Sequence, residues 1–195
     1  MVEGLLDLAS AFGLSTSAGL NAYIPMLTLA LIAKFTQLVQ LEEPWNALTS
    51  WWIIGLLAVL LVVEELADKI PAIDTANDIV QTLVRPTAGA ILFAATTRSS
   101  IQLHPVLAFG FGIIIAGTVH AVKSGARPVV TAVSAGTANP VVSTVEDVVS
   151  AVTSFIAVVF PYLVIVWLIL LAVVIYLVLR WLRQRRKQRE SGLAG

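Results

Sequence analysis

Hydrophobic positions dominate this chain in long runs, which short polar segments interrupt. Residues 8–33 contain no charged side chain, and neither does the last apolar run, residues 148–179. A helix of about 20 apolar residues crosses the hydrocarbon core of a bilayer. The pattern therefore predicts an all-α, polytopic integral membrane protein with about four to six membrane segments, some of them broken or re-entrant.

Small and polar residues interrupt the first run near its middle. Residues 15–25 include Gly19 and Asn21 and end on Pro25. Glycine loosens a helix, and proline removes one backbone donor from it. The segment predicts a helix that is broken or kinked near Asn21. Small residues packed against a neighbouring helix would explain the same pattern equally well.

Four prolines follow polar residues at places where a new helix could begin: Pro86, Pro105, Pro128 and Pro140. Proline suits the first turn of a helix, and Asn139, which precedes the last of them, is a good N-cap residue. The pattern predicts several short helices.

Two apolar stretches have lengths that do not suit one straight crossing. Residues 86–97 are too few to span a bilayer alone, which predicts a re-entrant segment or half of a discontinuous helix. Residues 148–179 would form a helix of about 48 Å at ~1.5 Å per residue. Pro161 is the expected divide, and residues 162–179 are the expected final span.

Charged residues in the body of the chain concentrate in two short segments. In the first charged segment, residues 64–86, a helix would align Asp74, Asp78, Gln81 and Arg85 on one face. Upstream, Glu64 with Asp68 and Glu65 with Lys69 are each four residues apart. A solvated helix at the membrane edge would carry the same stripe.

The second charged segment, residues 120–147, offers complementary charges. His120, Lys123 and Arg127 are three and then four residues apart, so a helix aligns them, and Glu146 and Asp147 follow. Charges inside a membrane are costly unless they are paired or hydrated, and they tend to mark ion or solute paths. The two segments are therefore expected to face each other around a buried polar site.

The expected function is membrane transport or binding of a small polar or anionic solute or ion at this site. Basic side chains would attract an anion, acidic ones would hold the cations in place or relay protons, and the histidine would act as a switch near neutral pH. The candidate ligands are Asn21, Glu64, Asp68, Lys69, Asp74, Asp78, Arg85, His120, Lys123, Arg127, Asn139, Glu146 and Asp147. The alternative is a structural or assembly protein with an internal salt-bridge network and a basic tail that binds lipid or a partner.

Composition agrees with a membrane protein. Hydrophobic residues make up 58% of the chain and charged residues 12%, with a mean hydropathy of +0.91. This leaves too little polar surface for a water-soluble globule. The absence of cysteine removes disulfides, thiolate metal sites and cysteine nucleophiles. The first ten residues contain no Lys or Arg, so the basic leader of a signal peptide is not indicated.

Basic residues crowd at the C-terminus, although the formal net charge is zero. The positive-inside rule places such a tail in the cytoplasm, where it can also bind anionic lipid. We expect a single transmembrane domain over residues 1–182 and a basic cytoplasmic tail over residues 183–195. The expected location is the inner membrane of a cell, with membrane lipids as partners, no nucleic acid, and a homo-oligomer left open.

Signals for an enzyme are weak. His120 with nearby carboxylates could bind a divalent cation in principle, but no two histidines stand at ligand spacing. Nucleotide-binding and nucleophile motifs do not occur. The sequence therefore favours a protein without catalytic residues, metal or cofactor.

Three blocks of sequence carry a family resemblance: residues 17–25, residues 64–90, and residues 120–127 with Asn139, Glu146 and Asp147. Together they resemble a bacterial integral-membrane family catalogued as domain of unknown function 4126. The resemblance covers the region from about residue 10 to residue 160 and leaves the last helix and the basic tail outside. It implies a small polytopic membrane protein and carries no activity with it.

Overall fold

Helices account for nearly all of the structure. A computed structural model describes residues 2–67, 71–101, 103–135, 137–167 and 169, with the backbone alone at residues 71–78, 98–101 and 129. No β-strand occurs in this described part, and residues 161–167 are helical as well. The helices are α1 (Val2–Leu20), α2 (Tyr23–Phe35), a short 3-10 helix (Trp45–Thr49), α3 (Trp51–Ala67), α4 (Pro71–Ile101), α5 (Pro105–Ser134) and α6 (Asn139–Val159).

Three helical segments in the described residues are long and apolar enough to cross a membrane: Ile79–Thr97 within α4, the whole of α5, and α6. Helix α2 is apolar but shorter. The prediction of an all-α polytopic membrane protein is confirmed. The number of segments stays a prediction, because most of residues 162–179, the expected final span, lies outside the described residues.

Helix α1 is central to the described bundle, since it contacts α2, α4, α5 and α6. Leu14 and Ala18 of α1 are fully buried, and they share one hydrophobic core with Leu92 of α4 and Ala116 of α5. Small residues let the backbones approach closely, which is the usual way that helices pack in membranes. This packing holds α1 against α4 and α5.

The predicted break in the first apolar run is confirmed. Helix α1 ends at Leu20 and α2 begins at Tyr23. The side-chain oxygen of Asn21 accepts hydrogen bonds from the backbone N–H groups of Tyr23 (3.0 Å) and Ile24 (3.1 Å). Asn21 thus satisfies two donors that a helix N-terminus otherwise leaves without partners. Its side chain is the local reason that α2 starts where it does.

The prolines mark helix starts at two of the four predicted places. Helix α5 begins at Pro105 and α6 at Asn139, whereas Pro86 and Pro128 lie inside continuous helices. The prediction that residues 86–97 form a separate half-length segment was therefore wrong. Proline is tolerated inside a membrane helix when neighbouring helices hold it. Directly after Pro86, α4 is held between α1 and α5.

Asn139 does not serve as the predicted N-cap of α6. It is the first residue of the helix, Ala138 occupies the cap position, and no side chain caps it there. The Asn139 side chain instead exchanges hydrogen bonds with the Thr131 hydroxyl at 3.0 and 3.2 Å. It therefore fastens α6 to the end of α5. At the other end of α6, the helix stops at Val159, just before the predicted divide at Pro161.

Candidate functional site

Polar side chains from several helices meet beside the break between α1 and α2. The Asn21 side chain is 1% exposed. Its amide nitrogen donates to Oδ1 of Asp147 on α6 at 2.8 Å, while its oxygen caps α2. Asn21 therefore ties the helix break to α6 through one amide group. We call the following set the polar layer: Asn21, Glu64, Gln81, Arg85, His120, Lys123, Arg127, Glu146 and Asp147.

Arg85 on α4 is fully buried, with 0% of its surface exposed. Its Nη2 lies 2.9 Å from Oε1 of Glu64, and its Nη1 lies 3.1 Å from Nδ1 of His120. A guanidinium can only donate, so His120 Nδ1 must accept, and the proton of the neutral ring sits on Nε2. That nitrogen lies 3.1 Å from the Thr82 hydroxyl oxygen, which accepts from it. The arginine thus fixes both its carboxylate partner and the tautomer of the histidine.

Lys123 on α5 joins two other parts of the layer. Its ammonium donates to the backbone carbonyl of Leu20, the last residue of α1, at 2.9 Å. It also lies 2.8 Å from Oε2 of Glu146, and Arg127 approaches the same carboxylate oxygen at 3.8 Å. A cation is favourable at a helix C-terminus, where backbone carbonyls lack donors. Lys123 therefore stabilises the end of α1 and binds α6 at the same time.

The two charged segments do face each other, as predicted, but their ion pairs form differently from the expectation. The pair of Arg85 with Glu64 lies within the first charged segment, and the pair of Lys123 with Glu146 lies within the second. The segments are linked at His120, whose two ring nitrogens hydrogen-bond Arg85 and Thr82. Both members of each ion pair thus come from the same charged segment.

The structure brings together most of the predicted ligands that it describes. The basic stripe predicted on α5 is buried along its whole length. Asn139 lies apart from the layer, at the junction of α5 and α6. Asp68 and Lys69 lie outside the described residues, and for Asp74 and Asp78 the structure describes only the backbone, within α4.

Several contacts of the layer involve residues absent from the predicted ligand set. Gln81 is 1% exposed, and its side chain lies beside that of Tyr23. The carboxyl of Glu65 lies beside that of Asp147. The sequence did signal Gln81, which lies on the same helical stripe as Arg85. Tyr23 and Glu65 gave no such signal, because their contacts depend on how separate helices pack.

Three serines form a second buried polar cluster, between α1 and α6. The Ser17 hydroxyl oxygen lies 2.7 Å from that of Ser150 and 2.6 Å from that of Ser154, and all three residues are fully buried. Interhelical hydrogen bonds of this kind hold membrane helices together. The cluster fixes α6 against α1 one turn away from Asn21 and Asp147.

Ser17→Ala is expected to lower the free energy of unfolding by about 1 kcal/mol, because it removes the hydroxyl that both α6 serines contact. Denaturant unfolding of the purified protein in detergent measures the change. Thr118→Ala is the matched control, since the Thr118 hydroxyl is exposed and bonds only to the Ile114 carbonyl of its own helix at 2.6 Å. Equal losses in both variants would contradict the role of the serine cluster.

An apolar cavity of about 410 Å³ lies along α1 and α6, away from Arg85. Phe12, Ile156 and Trp167 are among the residues that line it. Apolar side chains of this kind provide few hydrogen bonds for a polar solute. The polar layer is therefore the candidate functional site. No group of three His, Cys, Asp or Glu side chains converges for a metal ion among the residues with described side chains.

Comparison with known protein families settles the affiliation of the chain. A family model described as "Domain of unknown function (DUF4126)" matches residues 8–181. The chain belongs to this family. The match reaches further than the three blocks of the sequence resemblance, so the last apolar run of this DUF4126 protein is part of the family model too. Searches of curated proteins and of solved structures found no match.

Proposed function

We propose that this DUF4126 protein transports or binds a small polar or anionic solute or ion at the polar layer. The observation that supports this most is Arg85, which is fully buried in a helix long enough to cross a membrane. Burying charge is costly, and ionisable residues at such positions are most often functional. The break between α1 and α2 adds polar backbone groups beside them, as in transporters with discontinuous helices.

A structural or assembly role is the second candidate, and a specific observation favours it. The two ion pairs, Arg85 with Glu64 and Lys123 with Glu146, are short, with nitrogen–oxygen distances of 2.9 and 2.8 Å. Paired charges of this kind can serve to fix the register of helices. In this reading the layer would lock α3, α4, α5 and α6 together and would bind nothing.

The same proposal includes the orientation and the partners of the chain. We propose an inner-membrane protein whose C-terminus is cytoplasmic, because the six basic residues in the last sixteen positions follow the positive-inside rule. The tail, residues 183–195, would bind anionic lipid by the same charges. A homo-oligomer is compatible with this arrangement.

Uptake into proteoliposomes separates transport from assembly. Wild-type protein should take up at least one labelled solute from a panel of small anions, cations and uncharged polar molecules above the rate of protein-free liposomes. The double variant Glu64→Leu with Arg85→Met removes the buried pair while keeping apolar volume, so it should fold yet fall to background uptake.

Lys34→Met is the matched control for this test. Lys34 is a cation outside the polar layer, and it donates to the Thr49 carbonyl at 2.7 Å. Its loss should leave uptake unchanged. Background uptake of every solute by the folded wild type would reject transport and leave assembly as the function. Full uptake by the double variant would show that Glu64 and Arg85 are not needed for transport.

A further inference from the structure

Several buried side-chain atoms of the layer make no hydrogen bond to the residues that the structure describes, and two of them lie on α4. These two are Oε1 of Gln81 and Nε of Arg85, in residues that are 1% and 0% exposed. Both residues lie on α4, four positions apart, so they share one face of the helix. One atom is an acceptor and the other carries a proton to donate. A buried acceptor and a buried donor therefore lie on the same face of α4.

Buried polar atoms are almost always paired, and each exception calls for an explanation. A molecule that offers both a donor and an acceptor would satisfy both atoms. A hydroxyl group has both functions in one atom, and an amide has them on neighbouring atoms. An anion without an O–H or N–H group, such as acetate, would satisfy only the Arg85 Nε–H, since it has no proton to donate to Gln81.

Charge balance in the layer also disfavours an anion. Arg85 already has Glu64 as its partner at 2.9 Å, while Lys123 and Arg127 both approach Glu146. An anion would have to displace a buried carboxylate from its cation, which leaves that carboxylate without compensation. An uncharged molecule disturbs neither pair.

Tyr23 is the neighbour of Gln81 on the side that leads to the protein surface. Its side chain lies beside that of Gln81, and the residue is only partly buried. Gln81 is therefore separated from the surface on that side by a side chain that is itself partly exposed.

We infer that the solute of the polar layer is a small uncharged molecule with a hydroxyl or amide group, held between Gln81 Oε1 and Arg85 Nε. This inference rests on the proposed function and narrows it from polar or anionic solutes to uncharged ones. The anionic solute expected from the basic side chains is thereby replaced, because the structure pairs those side chains with carboxylates.

Uptake by the full chain in liposomes tests the inference, with labelled acetamide and glycerol as uncharged probes and acetate and phosphate as anions. Wild type should take up an uncharged probe and exclude both anions. Gln81→Met keeps the side-chain length and removes the acceptor, so uptake should fall about tenfold, as expected for one lost hydrogen bond. Gln37→Met, at an exposed position, is the matched control and should behave as wild type.

A measurement on the wild type alone covers the case in which Gln81→Met fails to fold. Unlabelled acetamide should compete with the labelled probe, whereas N,N-dimethylacetamide, which has no N–H to donate to Gln81, should not. Uptake confined to anions, equal competition by both amides, or full uptake by folded Gln81→Met overturns the inference and leaves transport standing. No uptake of any solute by wild type overturns the proposed function itself, and the inference with it.

Discussion

Arg85→Ala is expected to lower the free energy of unfolding by about 3–5 kcal/mol, the typical cost of removing one partner of a buried ion pair. The variant removes the cation that compensates the buried Glu64 carboxylate at 2.9 Å. It also removes the donor to His120 Nδ1, so one of the hydrogen bonds between the two charged segments is lost. Denaturant unfolding of the purified protein in detergent measures the effect.

The double variant Glu64→Leu with Arg85→Met is the informative companion. Replacing both members of a buried pair by apolar residues is often neutral or stabilising, so it should recover most of the loss, to within about 1–2 kcal/mol of wild type. Lys34→Met removes a cation outside the layer and should stay within about 0.5 kcal/mol of wild type. A single variant as stable as the double one would mean that Arg85 and Glu64 do not depend on each other.

Gly112→Ala is expected to destabilise the fold by about 1–3 kcal/mol, the usual cost of overpacking. A Cβ at Gly112 of α5 would collide with the Gly89 carbonyl oxygen and lie 2.5 Å from the Cα of Ala90, both on α4. These are backbone atoms, so relief requires the two helices to separate. Unfolding in detergent, as for Arg85→Ala, measures the loss.

Gly110→Ala supplies the matched control on the same helix. A Cβ at Gly110 meets nothing within 4 Å, so alanine costs no contact there and gains helix propensity worth about 0.5–1 kcal/mol. The two substituted positions are two residues apart and lie on different faces of α5. Similar stability of both would contradict the close approach of α4 and α5.

The sequence was sufficient for much of the local structure, because the signals there lie within a few residues of the feature. Asn21 caps α2 with its own side chain, so the break in the first apolar run needs no distant partner. The i, i+3, i+4 spacing likewise predicted that His120, Lys123 and Arg127 share one face. Local signals failed at Pro86 and Pro128, which lie inside continuous helices.

The candidate site likewise has some features that the sequence indicated and others that it did not. The residue types and their clustering indicated which charges would be buried together. They did not indicate that Arg85 would form an ion pair with Glu64, or that Lys123 would contact both the Leu20 carbonyl and Glu146. These partners are 21, 103 and 23 residues apart along the chain, so no helical spacing relates them.

The order of apolar and polar segments is enough to predict a helical membrane protein with buried charge, because hydrophobic length and helical periodicity are properties of consecutive residues. Which charge meets which follows only from how the helices pack. An ion pair depends on distances of a few ångström between side chains on different helices, and those distances are set by contacts such as Gly89 with Gly112 that have no local signature.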